Sequence, residues 1–197
     1  MLGLLHPTDP SWVAAAERDL DGLLSDHAHC EMKAAQSALS LVGRFGGEAP
    51  ELGAPLCALA HEEIEHFERV RHKLADRRAT LGAPSSDGYV TALRAAALVR
   101  DEGEPASPRL LDRLLVAALI EARSCERFRL LADKLQSMEL RSFYRDLMAS
   151  EARHFRLFAG LAETRFGQED ARARLITLAA REAQIAARLP LGPTVHG

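Results

Sequence analysis

The feature of this sequence that most constrains its fold is a glutamate that recurs in the middle of four apolar helical patterns. Apolar residues stand three, four and seven positions from each glutamate, so they share one helix face with it. The four are Glu31, Glu63, Glu121 and Glu151. Burying an unpaired carboxylate is costly, and no lysine or arginine stands on these stripes at the same level. The pattern therefore predicts four packed helices around a shared counter-charge.

Glycine and proline residues divide the chain into segments of helical length. Long helices are predicted at 19–43, 49–81, 108–136 and 138–167. Shorter helices are predicted from Ser11 onward, at 89–101 and at 169–189, and the tail at 191–197 is expected to be loose. Residues that favour strands are sparse, so no strand pattern competes. The sequence predicts a single all-α domain over 1–197, a four-helix bundle with additional helices.

Two of the four glutamates begin a Glu-x-x-His motif, Glu63 with His66 and Glu151 with His154. Residues three positions apart lie on the same side of a helix, so each pair can bind one ion. A single glutamate precedes each motif by one helix, which gives two halves of the same order. Ferritin-like dimetal proteins use this combination. We therefore predict a site for two divalent cations with these ligands: Glu31, Glu63, His66, Glu121, Glu151 and His154.

Four carboxylates and two imidazoles favour iron or manganese over zinc or copper(I). Iron is the first choice, and manganese stays open. Glu63 and Glu151 are the simplest bridging ligands, with Glu31 and Glu121 terminal. The three cysteines form no Cys-x-x-Cys pair, so the sequence predicts neither a thiolate metal site nor a disulfide framework.

Candidate substrate contacts are less specific. A basic cluster near the end of the second long helix and three aromatic residues near the ligand face are the candidates: Arg69, Arg71, Lys73, Phe128, Tyr144 and Phe155. Solvated faces and plain core packing are the alternatives. A second basic series runs from Arg123 to Arg156, and the solvated interpretation is favoured there too. Glu126 is expected at the surface. His27 is interpreted as a core histidine, or as a partner of Glu31.

The overall charge points to no particular partner, because 25 basic and 28 acidic residues leave a formal charge of only −3. A polyanion would therefore need a local basic patch. Neither a signal peptide nor an apolar run of membrane-spanning length is visible, so the expectation is a cytoplasmic protein without a membrane partner.

Four stretches around the predicted ligands, at 26–35, 62–67, 120–128 and 150–155, resemble the MiaE family. The resemblance extends from Pro7 to about Pro190. It implies a ferritin-like diiron monooxygenase that hydroxylates the isopentenyl group of 2-methylthio-N6-isopentenyladenosine, next to the anticodon of tRNA. The family's iron ligands fall on the six residues named above, and none is missing.

The resemblance also implies two iron ions, O2 and an external electron donor, with tRNA and an unidentified reductase as partners. Two other functions stay open. One is a ferritin-like protein that handles iron or reduces peroxide and has no organic substrate. The other is a hydroxylase for a lipid or a quinone, which membrane association would support.

Overall fold

The computed structural model describes residues 2–100, 102–103 and 107–196. Within these ranges, α-helices are the main regular elements and no strand is found. The helices are α1 (Trp12–Arg18), α2 (Leu20–Phe45), α3 (Gly53–Asp76), α4 (Gly88–Ala96), α5 (Arg109–Lys134), α6 (Met138–Phe166) and α7 (Gln168–Ala186). A 3-10 turn at Pro50–Leu52 precedes α3. The all-α prediction is confirmed.

The chain forms two compact units. The α2–α3 unit comprises residues 14–86 and 191–195, and the α5–α6 unit comprises the described residues of 1–13, 87–190 and 196. In the first, α2 packs along α3; in the second, α5 packs along α6, and α7 packs on both. The sequence-based assignment of one domain over 1–197 stays a prediction.

Side-chain caps explain where three helices begin. The Asp19 carboxylate accepts the Gly22 N–H at 2.8 Å at the start of α2. The Asp87 carboxylate accepts the Val90 N–H at 2.8 Å before α4. The Ser137 hydroxyl caps α6 through the Leu140 N–H. Each cap satisfies an amide that the first helical turn leaves open, so these short polar residues fix the helix starts.

The end of α3 differs from the prediction, because the helix stops at Asp76 rather than near residue 81. Arg78 adopts a left-handed conformation with φ of 59°. The Ala79 N–H then bonds to the Leu74 carbonyl at 2.9 Å, which is the pattern of a Schellman cap. An arginine here gave no sequence signal for a helix end. Asp101, the predicted end of the fourth helix, lies outside the described residues.

The tail is anchored at two residues that were predicted to be loose. In the α2–α3 unit, the Val195 N–H donates to the Asp26 carboxylate at 2.7 Å. In the α5–α6 unit, the His196 ring bonds to the Ser124 hydroxyl at 3.0 Å and to Asp87 at 3.1 Å. Both residues are buried, so specific polar contacts hold this end of the chain.

Candidate functional site

The α2–α3 unit gathers three of the predicted ligands. Glu31 on α2, and Glu63 and His66 on α3, are all buried. The His66 Nδ1 atom lies 3.2 Å from Glu63 Oε2 and 3.9 Å from Glu31 Oε2. One donor atom from each of the three residues lies within 4.8 Å of the others. The spacing of three residues on α3 thus places a carboxylate and an imidazole side by side, as predicted.

His27 stands one helical turn before Glu31 and contacts it directly. Its Nε2 atom lies 2.6 Å from Glu31 Oε1, and its side chain is completely buried. Because a carboxylate only accepts hydrogen bonds, this ring nitrogen carries the proton that it donates. A contact of this type fixes the direction of a ligating carboxylate. Of the two interpretations left open for His27, the structure supports contact with Glu31.

The α5–α6 unit holds the other three predicted ligands. Glu121 on α5, and Glu151 and His154 on α6, are buried. Donor atoms of Glu121 and His154 lie within 4.8 Å of each other. Glu151 and His154 stand three residues apart on α6, the same spacing as Glu63 and His66 on α3. Each unit therefore presents two glutamates and one histidine from a helical hairpin.

The chemistry of these donors fits a pair of divalent metal ions. All six side chains offer carboxylate oxygen or imidazole nitrogen, and all are at least 95% buried. Buried carboxylates need a compensating charge, which a metal ion supplies. Oxygen-rich sites with imidazole suit iron and manganese. The side chains thus meet the requirements that the sequence predicts for an iron site.

The aromatic substrate candidates lie in the α5–α6 unit. The Phe128 and Tyr144 rings are fully enclosed, with centroids 5.3 Å apart, and Phe143 packs edge-on against Tyr144. Phe155, which follows His154, is only half-buried. Phe128 and Tyr144 therefore belong to an apolar layer of the core, whereas Phe155 is partly exposed.

The basic candidates on α3 have acidic neighbours. Arg71 pairs with Glu68 at 3.2 Å, and its guanidinium also lies over the Phe67 ring. Lys73 pairs with Asp76 at 3.7 Å. These contacts match the solvated-face interpretation of this cluster. The role of Arg69, Arg71 and Lys73 in substrate binding stays a prediction.

A buried ionic network on the far side of α5 was not predicted. Arg123 and Glu126, interpreted from the sequence as solvated, are 1% and 4% exposed. The Arg123 guanidinium donates to Glu126 and, at 2.7 Å, to Glu182 of α7. Glu126 also accepts the Thr8 hydroxyl at 2.7 Å. The expectation of a surface Glu126 is wrong because α7 and the N-terminal segment cover a second face of α5.

The network shifts the pKa values of Arg123 and Tyr89. Burial lowers the pKa of Arg123, but the negative charge of Glu182, its hydrogen bond to the guanidinium and the charge of Glu126 together outweigh burial, so the pKa lies above the usual value. The Tyr89 hydroxyl donates to Glu182 at 3.0 Å. Burial and the Glu182 charge raise the pKa of Tyr89 well above its usual value. Arg123 is therefore charged and Tyr89 neutral over the whole physiological range.

Cys125 stands one turn after Glu121, and its thiol donates to the Met148 carbonyl at 3.4 Å. Burial raises the pKa of this thiol, while the nearby positive charges of Arg129 and Arg156 lower it less strongly. A buried thiol with a raised pKa is a poor nucleophile. Cys125 is a packing residue, as predicted.

An all-α fold with a Glu and a Glu-x-x-His motif in each of two helical hairpins defines a ferritin-like metal-binding oxidoreductase. Residues 2–197 match the family described as tRNA-(MS[2]IO[6]A)-hydroxylase (MiaE). The chain belongs to this family and is an enzyme, a tRNA hydroxylase. The family prediction is confirmed.

Two curated relatives carry the name tRNA 2-(methylsulfanyl)-N(6)-isopentenyladenosine(37) hydroxylase. The protein from Pseudomonas putida is 41% identical over 172 residues, which cover 87% of this chain and 80% of that protein. The protein from Salmonella typhimurium is 32% identical, with 89% of this chain and 80% of that protein covered.

A solved structure confirms the predicted fold class. Protein 43 with aldehyde deformylating oxygenase activity, from Synechococcus, is 42% identical. It superposes with a TM-score of 0.86 over 98% of this chain and 95% of its own. None of the described helices combines the length and apolar character that crossing a membrane requires.

Proposed function

We propose that this protein hydroxylates the isopentenyl group of 2-methylthio-N6-isopentenyladenosine in tRNA with two iron ions. The proposed iron ligands are Glu31, Glu63, His66, Glu121, Glu151 and His154. The observation that carries the proposal is the repeated Glu and Glu-x-x-His set, buried in both units of a member of this family. Names of the two curated relatives support the same substrate.

The reaction inserts one oxygen atom of O2 into a C–H bond, and the other oxygen leaves as water. Two electrons and two protons must therefore come from outside, which requires a reductase or another electron donor. Bound iron would supply the oxidising power that amino-acid side chains lack. The four carboxylates would compensate the charge of the two ions, and the two histidines would complete their nitrogen ligands.

The protein's own groups would orient the substrate and exclude water. The Phe128 and Tyr144 rings, which contact each other, would offer a prenyl chain an apolar wall. Half-buried Phe155 lies where such a chain would pass from the surface toward His154. A dry pocket protects the oxidant from reaction with water. The target base would have to leave its stack to present the chain. Since the substrate is tRNA, we place the reaction in the cytoplasm.

The test is incubation of the iron-loaded protein with reductant, O2 and tRNA that carries the methylthiolated, prenylated adenosine. Digestion to nucleosides and mass spectrometry should show the gain of one oxygen atom on that nucleoside. Protein without iron is the control and should leave the nucleoside unchanged. An unchanged nucleoside despite two bound irons and O2 consumption would contradict the proposal.

A second candidate activity follows from the Synechococcus protein, whose title describes aldehyde deformylating oxygenase activity at 42% identity. The same iron-loaded preparation should be offered a long-chain aldehyde. Formation of the hydrocarbon one carbon shorter, together with an unchanged tRNA nucleoside, would favour that activity over tRNA hydroxylation. A ferritin-like storage or peroxide-reducing role would instead show iron or peroxide turnover without either organic product.

A further inference from the structure

One group of arginines in the α5–α6 unit differs from the other basic residues. Arg129 on α5, and Arg145 and Arg156 on α6, are exposed. In the part of the chain that the structure describes, no carboxylate forms a salt bridge with any of them. By contrast, Arg71 and Lys73 on α3 and Arg77 directly after it each pair with an acidic residue. An uncompensated positive charge is the property that attracts phosphate.

The three arginines lie on one side of the α5–α6 hairpin. Arg145 and Arg156 are eleven residues apart, which is about three turns of a helix, so they point in nearly the same direction. Arg129 belongs to α5, but both Arg129 and Arg156 act electrostatically on the Cys125 thiol. That thiol itself contacts the Met148 carbonyl of α6. Arg129 of α5 and Arg156 of α6 are therefore both near enough to this contact for their charges to act on the thiol.

Of the acidic residues nearby, the exposed Asp133 lies one turn after Arg129 on the same side of α5 but forms no salt bridge with it, so this surface keeps a net positive charge. The other acidic residues do not face it. Glu126 of α5 is buried in its network with Arg123 and Thr8. Glu163 of α6 pairs with Arg172 at 3.1 Å. The exposed acids Glu139 and Asp146 are seven residues apart and form a row of their own on α6, turned away from Arg145 by about a quarter of the helix circumference. We call Arg129, Arg145 and Arg156 the arginine face.

The arginine face borders the residues proposed for substrate. Arg156 follows Phe155, which in turn follows the proposed ligand His154. Successive residues are about 100° apart around a helix. The surface of α6 therefore passes from buried His154 through half-buried Phe155 to exposed Arg156. On α5, at steps of four residues, Glu121 and Cys125 are buried and Arg129 is exposed. A nucleotide whose phosphate binds this face would have its base beside an apolar edge that leads toward the ligands.

We propose that the arginine face binds the phosphates of the tRNA anticodon stem-loop, and that Arg71, Lys73 and Arg77 near the end of α3 do not. This inference rests on the proposed function. Arg145 and Arg156 are separated by about 16 Å along the helix axis. At about 3.4 Å of rise per nucleotide, that length matches roughly five nucleotides of one strand. Arginine suits this role because its planar group binds phosphate oxygens in pairs.

The test compares three variants that each lose three positive charges. The face variant carries Arg129→Gln, Arg145→Gln and Arg156→Gln. The rival variant carries Arg71→Gln, Lys73→Gln and Arg77→Gln. The scattered variant carries Arg109→Gln, Arg113→Gln and Arg188→Gln, which are exposed positions elsewhere. Fluorescence anisotropy with a labelled anticodon stem-loop measures Kd from 50 to 200 mM salt, with and without the modified adenosine.

For the face variant, we expect Kd to rise about tenfold or more, and the slope of log Kd against log salt to fall by about 2 to 3. The loss should be equal for modified and unmodified RNA, because phosphates carry no sequence information. In turnover, KM for tRNA should rise while kcat at saturating tRNA stays near the wild-type value. The rival and scattered variants should bind nearly as the wild type does.

Equal weakening in all three variants would mean a non-specific charge effect and would overturn the inference. Weakening in the rival variant alone would place the RNA on α3 and would also overturn it. If wild-type protein hydroxylates tRNA and the face variant does so with unchanged KM, only this inference fails. If wild-type protein leaves tRNA unmodified, the proposed function fails and the inference fails with it. Iron content and circular dichroism confirm that each variant is folded and loaded.

Discussion

The α2–α3 and α5–α6 hairpins present the same three proposed ligands in the same order, two glutamates and then a histidine, but they are covered differently. Of the 26 residues of α2, eight are buried, whereas eighteen of the 26 residues of α5 are buried. Helix α7 and the N-terminal segment cover the outer face of α5, and the Arg123 network lies beneath them. The ligand pattern is thus repeated, while the support behind it is not.

The ligand faces also differ at one position. Four residues before its first glutamate, α2 has His27, which contacts Glu31 at 2.6 Å. The corresponding position before Glu121 is Ala117, whose methyl group offers no hydrogen bond. In the first hairpin, the buried imidazole of His27 therefore orients Glu31. In the second, Ala117 cannot make this contact with Glu121. The two hairpins thus carry equal sets of proposed ligands with unequal support from neighbouring side chains.

The largest expected effect comes from the part that the hairpins share. Glu63→Gln and Glu151→Gln change repeat-related ligands, and each should lower hydroxylation by more than the roughly 10–100-fold typical of losing an outer partner. A neutral amide binds iron poorly and cannot compensate its charge. Nucleoside mass spectrometry and the iron content per chain measure the two losses.

The matched control for these ligand changes is Glu65→Gln, on the exposed side of α3. It should keep wild-type activity and iron content. Because both ligand variants retain the size of the side chain, their circular dichroism spectra should remain helical. Full activity in one ligand variant and none in the other would contradict the equivalence of the two hairpins.

The shared ligand pattern could be predicted from the sequence because it depends on short spacings within helices. Glu63 and His66 lie one turn apart whatever the rest of the fold does. The helix segments followed from glycine, proline and apolar periodicity for the same reason. Local signals of this kind identified all six candidate ligands and placed them in buried positions.

The Arg123 network could not be predicted in this way, because its partners are distant in the chain. Glu182 is 59 residues from Arg123, and Thr8 is 118 residues from Glu126. A charged residue behind an apolar stripe ordinarily faces water, so the sequence pattern favoured a solvated face. Only the packing of α7 and the N-terminal segment on α5 makes these charges buried. The burial of Arg123 and Glu126 thus depends on tertiary packing and not on the local sequence pattern.

Breaking this covering should have the second-largest effect, on stability rather than activity. Arg123→Ala leaves the buried Glu126 and Glu182 carboxylates without their guanidinium partner. Removal of one member of a buried ion pair costs about 3–5 kcal/mol. Urea unfolding followed by circular dichroism measures the change in the free energy of unfolding.

The control for the network is Arg71→Ala, in which the arginine and its partner Glu68 are each 50% exposed. Exposed pairs contribute about 0–1 kcal/mol, so this variant should unfold near the wild-type urea concentration. A change as small for Arg123→Ala as for Arg71→Ala would mean that the network does not stabilise the α5–α6 unit.

The smallest effect tests the difference between the two ligand faces. His27→Ala removes the donor to Glu31 and leaves every proposed ligand in place. Loss of such a partner typically lowers metal affinity or activity about 10–100-fold. In an iron titration, we therefore expect the variant to bind one of the two ions more weakly than the wild-type protein does, and the other ion with nearly unchanged affinity.

Two further variants control this result. His27→Gln retains a side-chain N–H donor and should restore part of the affinity. His61→Ala, at an exposed position on α3, is the control and should leave both affinities unchanged. Equal weakening of the two ions in His27→Ala would indicate that His27 supports the whole centre, and the unequal support inferred from Ala117 would then be wrong.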